Sequence, residues 1–250
     1  MFELGKYRYF LLVLVSHIAF LYVLVFGSLA QILVMLALHI LNIWLAGTMT
    51  YHRLLSHRSW NAPRWFEVFG TLLGVFSFTG TNITRTIIHR QHHAFPDTKR
   101  DPHSPWINNF WQQYFPMLSY HGKINYKLGR DLYEDSFHKF VHTYYLAIVL
   151  FVFICVYLTT GLDWAIAAVL APGTLSWITV TLGNTLCHLG KDPKERACDN
   201  LFIVLIGFGE GWHGYHHRNP QIADFGQGRW DPGYWLIKLL QKNEKKNTAS

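Results

Sequence analysis

The chain has little charge for its length and almost no cysteine. Asp, Glu, Lys and Arg together make up 15% of its 250 residues. Cys155, Cys187 and Cys198 show no pairing spacing, so we expect reduced, structural thiols rather than a disulfide framework. The sequence also has no internal repeat, low-complexity segment, Gly-rich phosphate loop or nucleotide-binding fingerprint.

Long apolar runs are what the sequence has instead. Half of the residues are hydrophobic. Four runs, at residues 10–26, 29–49, 141–160 and 164–187, each approach the roughly 20 residues that cross a bilayer core. The stretch 66–80 carries Glu67 and several glycines, which favours an interfacial or buried position, and 201–207 is too short to cross. The sequence therefore predicts four transmembrane helices.

The distribution of basic residues predicts the topology. The connections at 27–28 and 161–163 contain no Lys or Arg, so all 22 basic residues fall in the regions on the other side of the membrane. The positive-inside rule makes that side cytosolic. We expect an all-α membrane protein, a single domain over residues 1–250. Both termini and a helical cap, residues 50–140 and 188–250, should face the cytosol. The first run is interpreted as a retained span, with a signal peptide as the alternative.

Histidine is abundant, at 15 of 250 residues, and it is patterned. His-x-x-His-His occurs twice, at residues 89–93 and 213–217, although roughly 0.05 copies are expected by chance. Positions i, i+3 and i+4 share one face of a helix, so each triplet can direct three imidazoles to one place. His52 and His57 form a further pair, which has weight only because of where it lies. Together they offer more nitrogens than one metal ion can hold, which predicts a site for two metals.

The histidine pair and the two triplets, which we call the three boxes in chain order, lie on one side of the predicted membrane. His52 and His57 follow the second span, and the two triplets lie in the cytosolic cap. His188 lies at the cytosolic end of the fourth span, with Asn184 one helical turn earlier on the same face.

These segments resemble the membrane fatty acyl desaturases, specifically the stearoyl-type delta-9 group. The resemblance covers nearly the whole chain. It rests on GTMTYHRLLSHR at 47–58, HRQHH at 89–93, DPH at 101–103, NTLCH at 184–188 and GEGWHGYHH at 209–217. It implies two iron ions, with dioxygen as co-substrate and two electrons consumed per double bond. The implied metal ligands are His52, His57, His89, His92, His93, His188, His213, His216 and His217, with Asn184 binding through water.

Carboxylates beside the boxes are candidate partners for the ligating rings. A metal-bound imidazole usually donates its other N–H to a carboxylate or carbonyl. Asp101 and Glu210 lie close in sequence to a box and are expected in that role; otherwise they are ordinary loop residues. For His103 two roles stay open: contact with a ligating ring, or support of the loop. His17 and His39 are expected in packing or interhelical hydrogen bonds, and His121, His138 and His142 at the interface.

The resemblance also implies partners. No segment after His217 is long enough for a fused redox domain, so we expect a separate electron donor, a small b-type cytochrome or a ferredoxin with its reductase. Positions 87 and 88, where animal acyl-CoA desaturases carry Arg and Asp, are Ile here. We therefore expect a glycerolipid-bound acyl substrate. Acyl-CoA is the alternative, since Arg85, Arg90, Lys99 and Arg100 offer other contacts for a phosphate.

Three other functions remain for comparison. A histidine-rich membrane hydroxylase would use the same cluster. A soluble-type di-iron carboxylate enzyme needs two Glu-x-x-His motifs, and only Glu210 to His213 qualifies. A metal carrier should have polar groups along its spans, whereas these spans are mostly apolar. A haem protein would show a Soret band when purified.

Overall fold

The protein is helical, as expected. A computed structural model describes residues 2–116, 122–192 and 195–247, with the backbone alone for 2–6 and 242–247. His121 lies outside the described residues. Within them there is no strand, and the one bridge pairs Asp192 with Glu195. The thirteen α-helices described are α1 (Phe2–Phe26), α2 (Leu29–Leu41), α3 (Arg64–Gly74), α4 (Asn82–Ala94), α5 (Phe110–Tyr114), α6 (Arg130–Glu134), α7 (Ser136–Thr143), α8 (Tyr145–Thr160), α9 (Leu162–Ala165), α10 (Ala171–Leu186), α11 (Leu201–Ile206), α12 (His213–Arg218) and α13 (Pro232–Asn247).

Wide and tight helical turns extend several of these elements. A π-helix, Asn42–Ser56, continues α2, and a second one, Ile166–Leu170, joins α9 to α10. Short 3₁₀ turns occupy Val75–Ser77 and Tyr126–Gly129. The connection between α1 and α2 is tight because Ser28 caps α2: its hydroxyl accepts the Gln31 N–H, and the Gln31 side chain accepts the Ser28 N–H at 2.8 Å.

Three helical rods are long and apolar enough to cross a membrane: Tyr7–Phe26, Leu29–Ser56 and Leu162–Leu186. They correspond to the first, second and fourth predicted runs. The third run differs, because the chain bends by 71° between Ser136–Thr143 and Tyr145–Thr160. The 16 residues of α8 measure only about 24 Å, so a fourth crossing requires the bent pair to act as one span. The stretch 66–80, expected not to span, forms α3 and a 3₁₀ turn packed on the π-helix of the second rod.

Polar contacts join the rods to one another. Ser16 on α1 hydrogen-bonds Thr174 on α10 at 2.8 Å. His39 Nδ1 lies 3.2 Å from the Ser176 hydroxyl, the interhelical role expected for it. His17 contacts the Val13 carbonyl and the Tyr114 hydroxyl, at 2.7 and 2.6 Å. The Ser16 and His39 contacts hold α10 against α1 and α2, and the His17 contact with Tyr114 joins α1 to α5.

Two further histidines, both expected at the interface, differ in burial. His142, half-buried, lies 2.6 Å from the Thr81 hydroxyl. His138 was expected at the interface but is 1% exposed. Its ring contacts Asn82 and the Glu67 carboxylate, at 3.0 and 2.8 Å. These two polar partners offset the cost of burying the imidazole.

A buried ion pair attaches the C-terminal helix to the second rod. Arg53 and Asp231 are both 0% exposed, and Arg53 Nη2 donates to Asp231 Oδ1 at 3.0 Å. The same carboxylate caps α13 by accepting the Tyr234 N–H at 3.0 Å. Arg53 also stacks over the Phe225 ring, 4.0 Å from its centroid. The arginine that follows His52 is therefore held from two sides.

Candidate metal centre

The first histidine pair is aligned by a π-turn. His52 and His57 are five residues apart, a spacing that an α-helix places on different faces. Here the His57 N–H donates to the His52 carbonyl at 3.1 Å, an i→i+5 bond of the π type. Residues five apart then stack, and the two imidazole centroids lie 5.0 Å apart. The helix ends immediately afterwards, at Arg58, whose φ of 50° is left-handed.

The two triplets lie on short α-helices, as their spacing predicts. His89, His92 and His93 occupy the last two turns of α4, which begins at a Thr81 cap. His213, His216 and His217 occupy α12. His188 follows the end of α10. Four separate elements thus bring their histidines together on one side of the three rods.

The nine histidines form two groups, each compact enough for one ion. Within each group the candidate ligand nitrogens lie within 4.8 Å of one another. One group contains His52, His57, His89, His93 and His216, and the other contains His92, His188, His213 and His217. Every one of the nine rings directs its Nε2 at another member. Nine predicted ligands therefore meet through the same ring atom.

Carboxylates hold the far sides of three rings. Asp101 Oδ2 lies 2.8 Å from His92 Nδ1, and Glu210 contacts His52 Nδ1. Both acids were the expected partners of ligating rings. Asp97 was not foreseen, and it lies 3.0 Å from His188 Nδ1. Its only sequence signal is its place four residues before Asp101, whose Oδ2 accepts the Asp97 N–H at 2.8 Å.

While all four rings are neutral, hydrogen bonds cannot satisfy every contact within the four-histidine group. Its Nε2 atoms form a chain, 92–217–213–188, with contacts of 3.3, 3.0 and 3.0 Å. As neutral rings that donate their Nδ1–H groups to Asp101 and Asp97, His92 and His188 both present lone pairs at Nε2. His217 and His213 must then both donate outward, and at the contact between them neither nitrogen has a lone pair to accept a hydrogen bond. A metal cation among the four nitrogens removes this conflict, as would one additional proton.

Burial keeps the rings neutral and their lone pairs available. Burial, reinforced by the neighbouring histidines, lowers the pKa of His89, His213, His216 and His217 well below the usual 6.5. The same causes, with Arg90 nearby, lower the pKa of His57 to about 3. Neutral imidazole is the form that binds metal, and it suits iron. The donor set therefore fits a pair of iron ions.

Two further predicted residues are related to the four-histidine group, Asn184 by its place in the chain and His103 by a ring contact. Asn184 is half-buried in the last turn of α10, one turn before His188. His103 is 9% exposed, and its ring centroid is 6.1 Å from that of His92. The His103 N–H donates to Asp101 Oδ1 at 2.8 Å, while its Nε2 is buried without a partner among the described residues. His103 thus supports the loop that orients Asp101.

Comparison with known proteins gives one family. The sequence model of the fatty acid desaturase family matches residues 27–229. An acyl-CoA 5-desaturase of Anemone leveillei is 31% identical over 205 residues, covering 78% of this chain and 64% of that protein. An sn-2 palmitoyl-lipid 9-desaturase of Nostoc is 30% identical over 214 residues, covering 79% and 75%.

A plant protein whose name gives a different double-bond position also matches. A chloroplastic palmitoyl-monogalactosyldiacylglycerol delta-7 desaturase of Arabidopsis thaliana is 29% identical over 215 residues, covering 82% of this chain and 58% of that protein. The chain thus spans less than two thirds of the length of the Anemone and Arabidopsis relatives. Both acyl-CoA and acyl-lipid proteins are among the matches.

Proposed function

This chain belongs to the fatty acid desaturase family, and from that premise we propose that it inserts a cis double bond, at the delta-9 position, into a saturated acyl chain. The reaction consumes dioxygen and two electrons. The observation that carries the proposal is the set of nine Nε2 atoms in two groups, four of which cannot all be hydrogen-bonded while their rings are neutral.

The two groups suggest how two ions divide the ligands. His52, His57, His89, His93 and His216 would hold one iron. His92, His188, His213 and His217 would hold the other, with Asn184 contributing through water. Iron bound there supplies the dioxygen-derived oxidant that removing hydrogen from an unactivated methylene requires.

The residues of the chain orient and shield this chemistry. Glu210, Asp101 and Asp97 each accept an Nδ1 proton, which fixes the tautomer and the tilt of a ligand ring. Phe225, 0% exposed, packs its ring 4.2 Å from that of His216 and closes the other side. A rigid, dry site of this kind would direct the oxidant to one carbon of the acyl chain, so that neighbouring carbons do not react.

Lipid analysis of an expressing host is the decisive experiment. Expression should add a cis-monounsaturated acyl chain that is absent from the vector control, with the double bond located by mass spectrometry of derivatised esters. The His216→Ala variant, matched for membrane level, should add none. A hydroxylated chain in place of an alkene would indicate the hydroxylase reaction, and an unchanged lipid profile with a metal-loaded protein would contradict both.

The substrate's head group is proposed to be a glycerolipid. The structure changes the basis of this proposal. Ile87 is 2% exposed and packs in the core of the cap, so its apolar side chain reports packing rather than a head-group contact. Arg90 is committed to the cap: it donates to Asp131 and to the Ser56, Leu55 and Leu128 carbonyls. One of the four cations available for a CoA phosphate is therefore already engaged.

Direct competition tests this choice. The purified protein, in nanodiscs with donor and reductase, should convert a phospholipid-bound acyl chain in preference to the same chain on CoA. Preferential conversion of the free acyl-CoA would overturn the glycerolipid proposal and leave the desaturase proposal intact.

The electron donor is proposed to be a separate acidic redox protein, a small b-type cytochrome or a ferredoxin. It would dock on the basic side that carries the metal centre, which we propose faces the cytosol together with both termini. The net charge of +7 favours an acidic partner through electrostatic steering. Turnover with donor should therefore fall as ionic strength rises, because exposed charges are screened. Turnover that is independent of salt would contradict this docking mode.

A further inference from the structure

A long segment of the predicted cytosolic cap contains no charge. Between Asp101 and Lys123 there is no Lys, Arg, Asp or Glu, while Trp, Phe and Tyr recur. Asn and Gln residues lower the mean hydropathy of this segment, so it does not form an apolar run. Trp and Tyr are the residues enriched where a bilayer meets water.

Part of this segment, residues 106–115, follows α10 away from the metal centre, and we name it the wedge segment. It starts where Trp106 donates its indole N–H to the His188 carbonyl at 2.6 Å. Further along, the Thr185 hydroxyl donates to the Gln113 side chain at 2.9 Å. Trp177 then donates to the Tyr114 carbonyl at 3.0 Å. The contacted positions run from 188 to 185 to 177, so the wedge segment descends along the rod.

The wedge segment also reaches α1. The Phe115 ring lies 5.5 Å from that of Phe10, in an edge-on contact. The Tyr114 hydroxyl lies 2.6 Å from His17 Nε2. His17 is nine residues, or about 14 Å, from the far end of α1 at Phe26, which is close to the middle of a core about 30 Å thick.

Distances along the third rod, Leu162–Leu186, give a similar depth for the wedge segment. The Tyr22 hydroxyl donates to Asp163 at 2.8 Å, so the far ends of α1 and α9 lie at similar levels. Trp177 is 15 residues, or about 22 Å, from Leu162, which leaves about 8 Å to the near boundary of the core. The backbone of Tyr114 therefore lies below that boundary, and its phenol points toward the middle.

The outward side of the wedge segment is apolar. Ile107, Phe110 and Trp111 are 46%, 50% and 67% exposed. This surface accompanies the exposed face of α1, where Leu14 is 42% exposed. The polar residues of the segment are partly satisfied within it, since Asn109 and Gln112 form a reciprocal cap for α5. A surface of this kind fits hydrocarbon and lipid head groups better than water.

We propose that residues 106–115 insert into the membrane leaflet on the side of the metal centre, beside α1 and α10, with Ile107, Phe110 and Trp111 in contact with lipid. Arg196, whose guanidinium lies 3.8 Å from the Trp106 ring centroid, marks the level of the head groups. The inserted segment is continuous with the loop that orients the ligands, because Ser104 donates to Asp97 at 2.9 Å. The bilayer thereby holds the loop that presents Asp97 and Asp101.

Spin labels at three positions test the insertion. The background is Cys155→Ala with Cys198→Ala, since Cys187 is only 1% exposed and will not label. Trp111→Cys is compared with Leu14→Cys on the lipid face of α1. Tyr126→Cys, 43% exposed and beside Lys127, is the matched aromatic control in the cap. Each labelled protein is placed in nanodiscs and probed with oxygen, which partitions into lipid, and with a water-soluble nickel complex.

The ratio of oxygen to nickel accessibility at position 111 should be close to that at position 14 and several-fold above that at position 126. A ratio equal to that at position 126 would overturn the proposal. An unlabelled check uses the difference in emission between the wild-type protein and Trp111→Phe, which brominated acyl chains should quench. Absence of quenching would also count against insertion. Neither measurement involves turnover, so failure here leaves the desaturase proposal untouched.

Discussion

Removing the carboxylate of Asp231 should destabilise the protein strongly although this residue touches no proposed ligand. Asp231 is the hydrogen-bonded counterion of Arg53, and both are 0% exposed. Among the described residues, Arg53 Nε and Nη1 have no hydrogen-bond partner. The next carboxylate, Glu210, is 3.9 Å from Nε. Asp231→Ala therefore leaves a buried guanidinium with one distant counterion that is already engaged by His52 and Thr48.

The magnitude follows from the burial of this pair. Removing one partner of a buried ion pair costs about 3–5 kcal/mol. Loss of the cap on α13 adds about 1 kcal/mol, because the Tyr234 N–H loses its acceptor. For a chain of this size, 1 kcal/mol lowers the melting temperature by about 2–4 °C, so the ion-pair loss alone predicts a drop of about 6–20 °C.

Thermal unfolding in detergent at one fixed heating rate measures the effect, because membrane proteins often unfold irreversibly. Asp231→Asn keeps a cap acceptor but not the charge, so it should lose less than Asp231→Ala. Arg53→Met combined with Asp231→Asn should recover part of the loss, since no unpaired buried charge remains. A melting temperature for Asp231→Ala within about 2 °C of wild type would refute the reasoning.

Three predictions concern the metal centre. His92→Ala and His216→Ala, one from each group, should each lower bound iron and abolish turnover, while His142→Ala, whose ring contacts Thr81, should change neither; full iron content in both ligand variants would contradict the assignment. Asp101→Asn should weaken iron binding by about 10- to 100-fold, against no change for Glu134→Gln in the exposed pair with Arg130, and equal affinities would oppose a ring-orienting role. Because burial lowers the pKa of His57 to about 3, protons should compete with iron at that ring only well below pH 6.5; iron release with a midpoint near pH 6.5 would show ordinary exposed imidazoles.

The helical class and the three rods could be predicted, because each rod contains a continuous apolar run. The bend at Tyr144 could not, since it falls inside the predicted run 141–160 and a hydropathy pattern does not report the direction of a helix. The second rod also extends further than its apolar run, to Ser56, because the polar residues of the first box continue the helix as a π-turn.

The histidines of the site could be identified because spacing on a helix is local information. The partners of their rings are less local. Asp101 and Glu210 were within reach because each is a few residues from a box. Asp97 required the folded loop, in which the Asp97 backbone at φ 56° and the Asp101 carboxylate hold each other. The Arg53–Asp231 pair joins residues 178 apart and leaves no pattern in the sequence.

The proton conflict in the four-histidine group has a consequence for folding. Its rings come from α4, α12 and the end of α10, so the conflict arises only when these elements are assembled. With four neutral rings and no metal ion, the assembled state keeps at least one unfavourable contact between ring nitrogens about 3 Å apart. A bound ion converts that repulsion into attraction, and a ligand that binds only the folded state stabilises it by mass action. We therefore expect metal binding to stabilise the assembled arrangement of α4, α10 and α12, with Asp97 and Asp101 orienting two of the ligand rings.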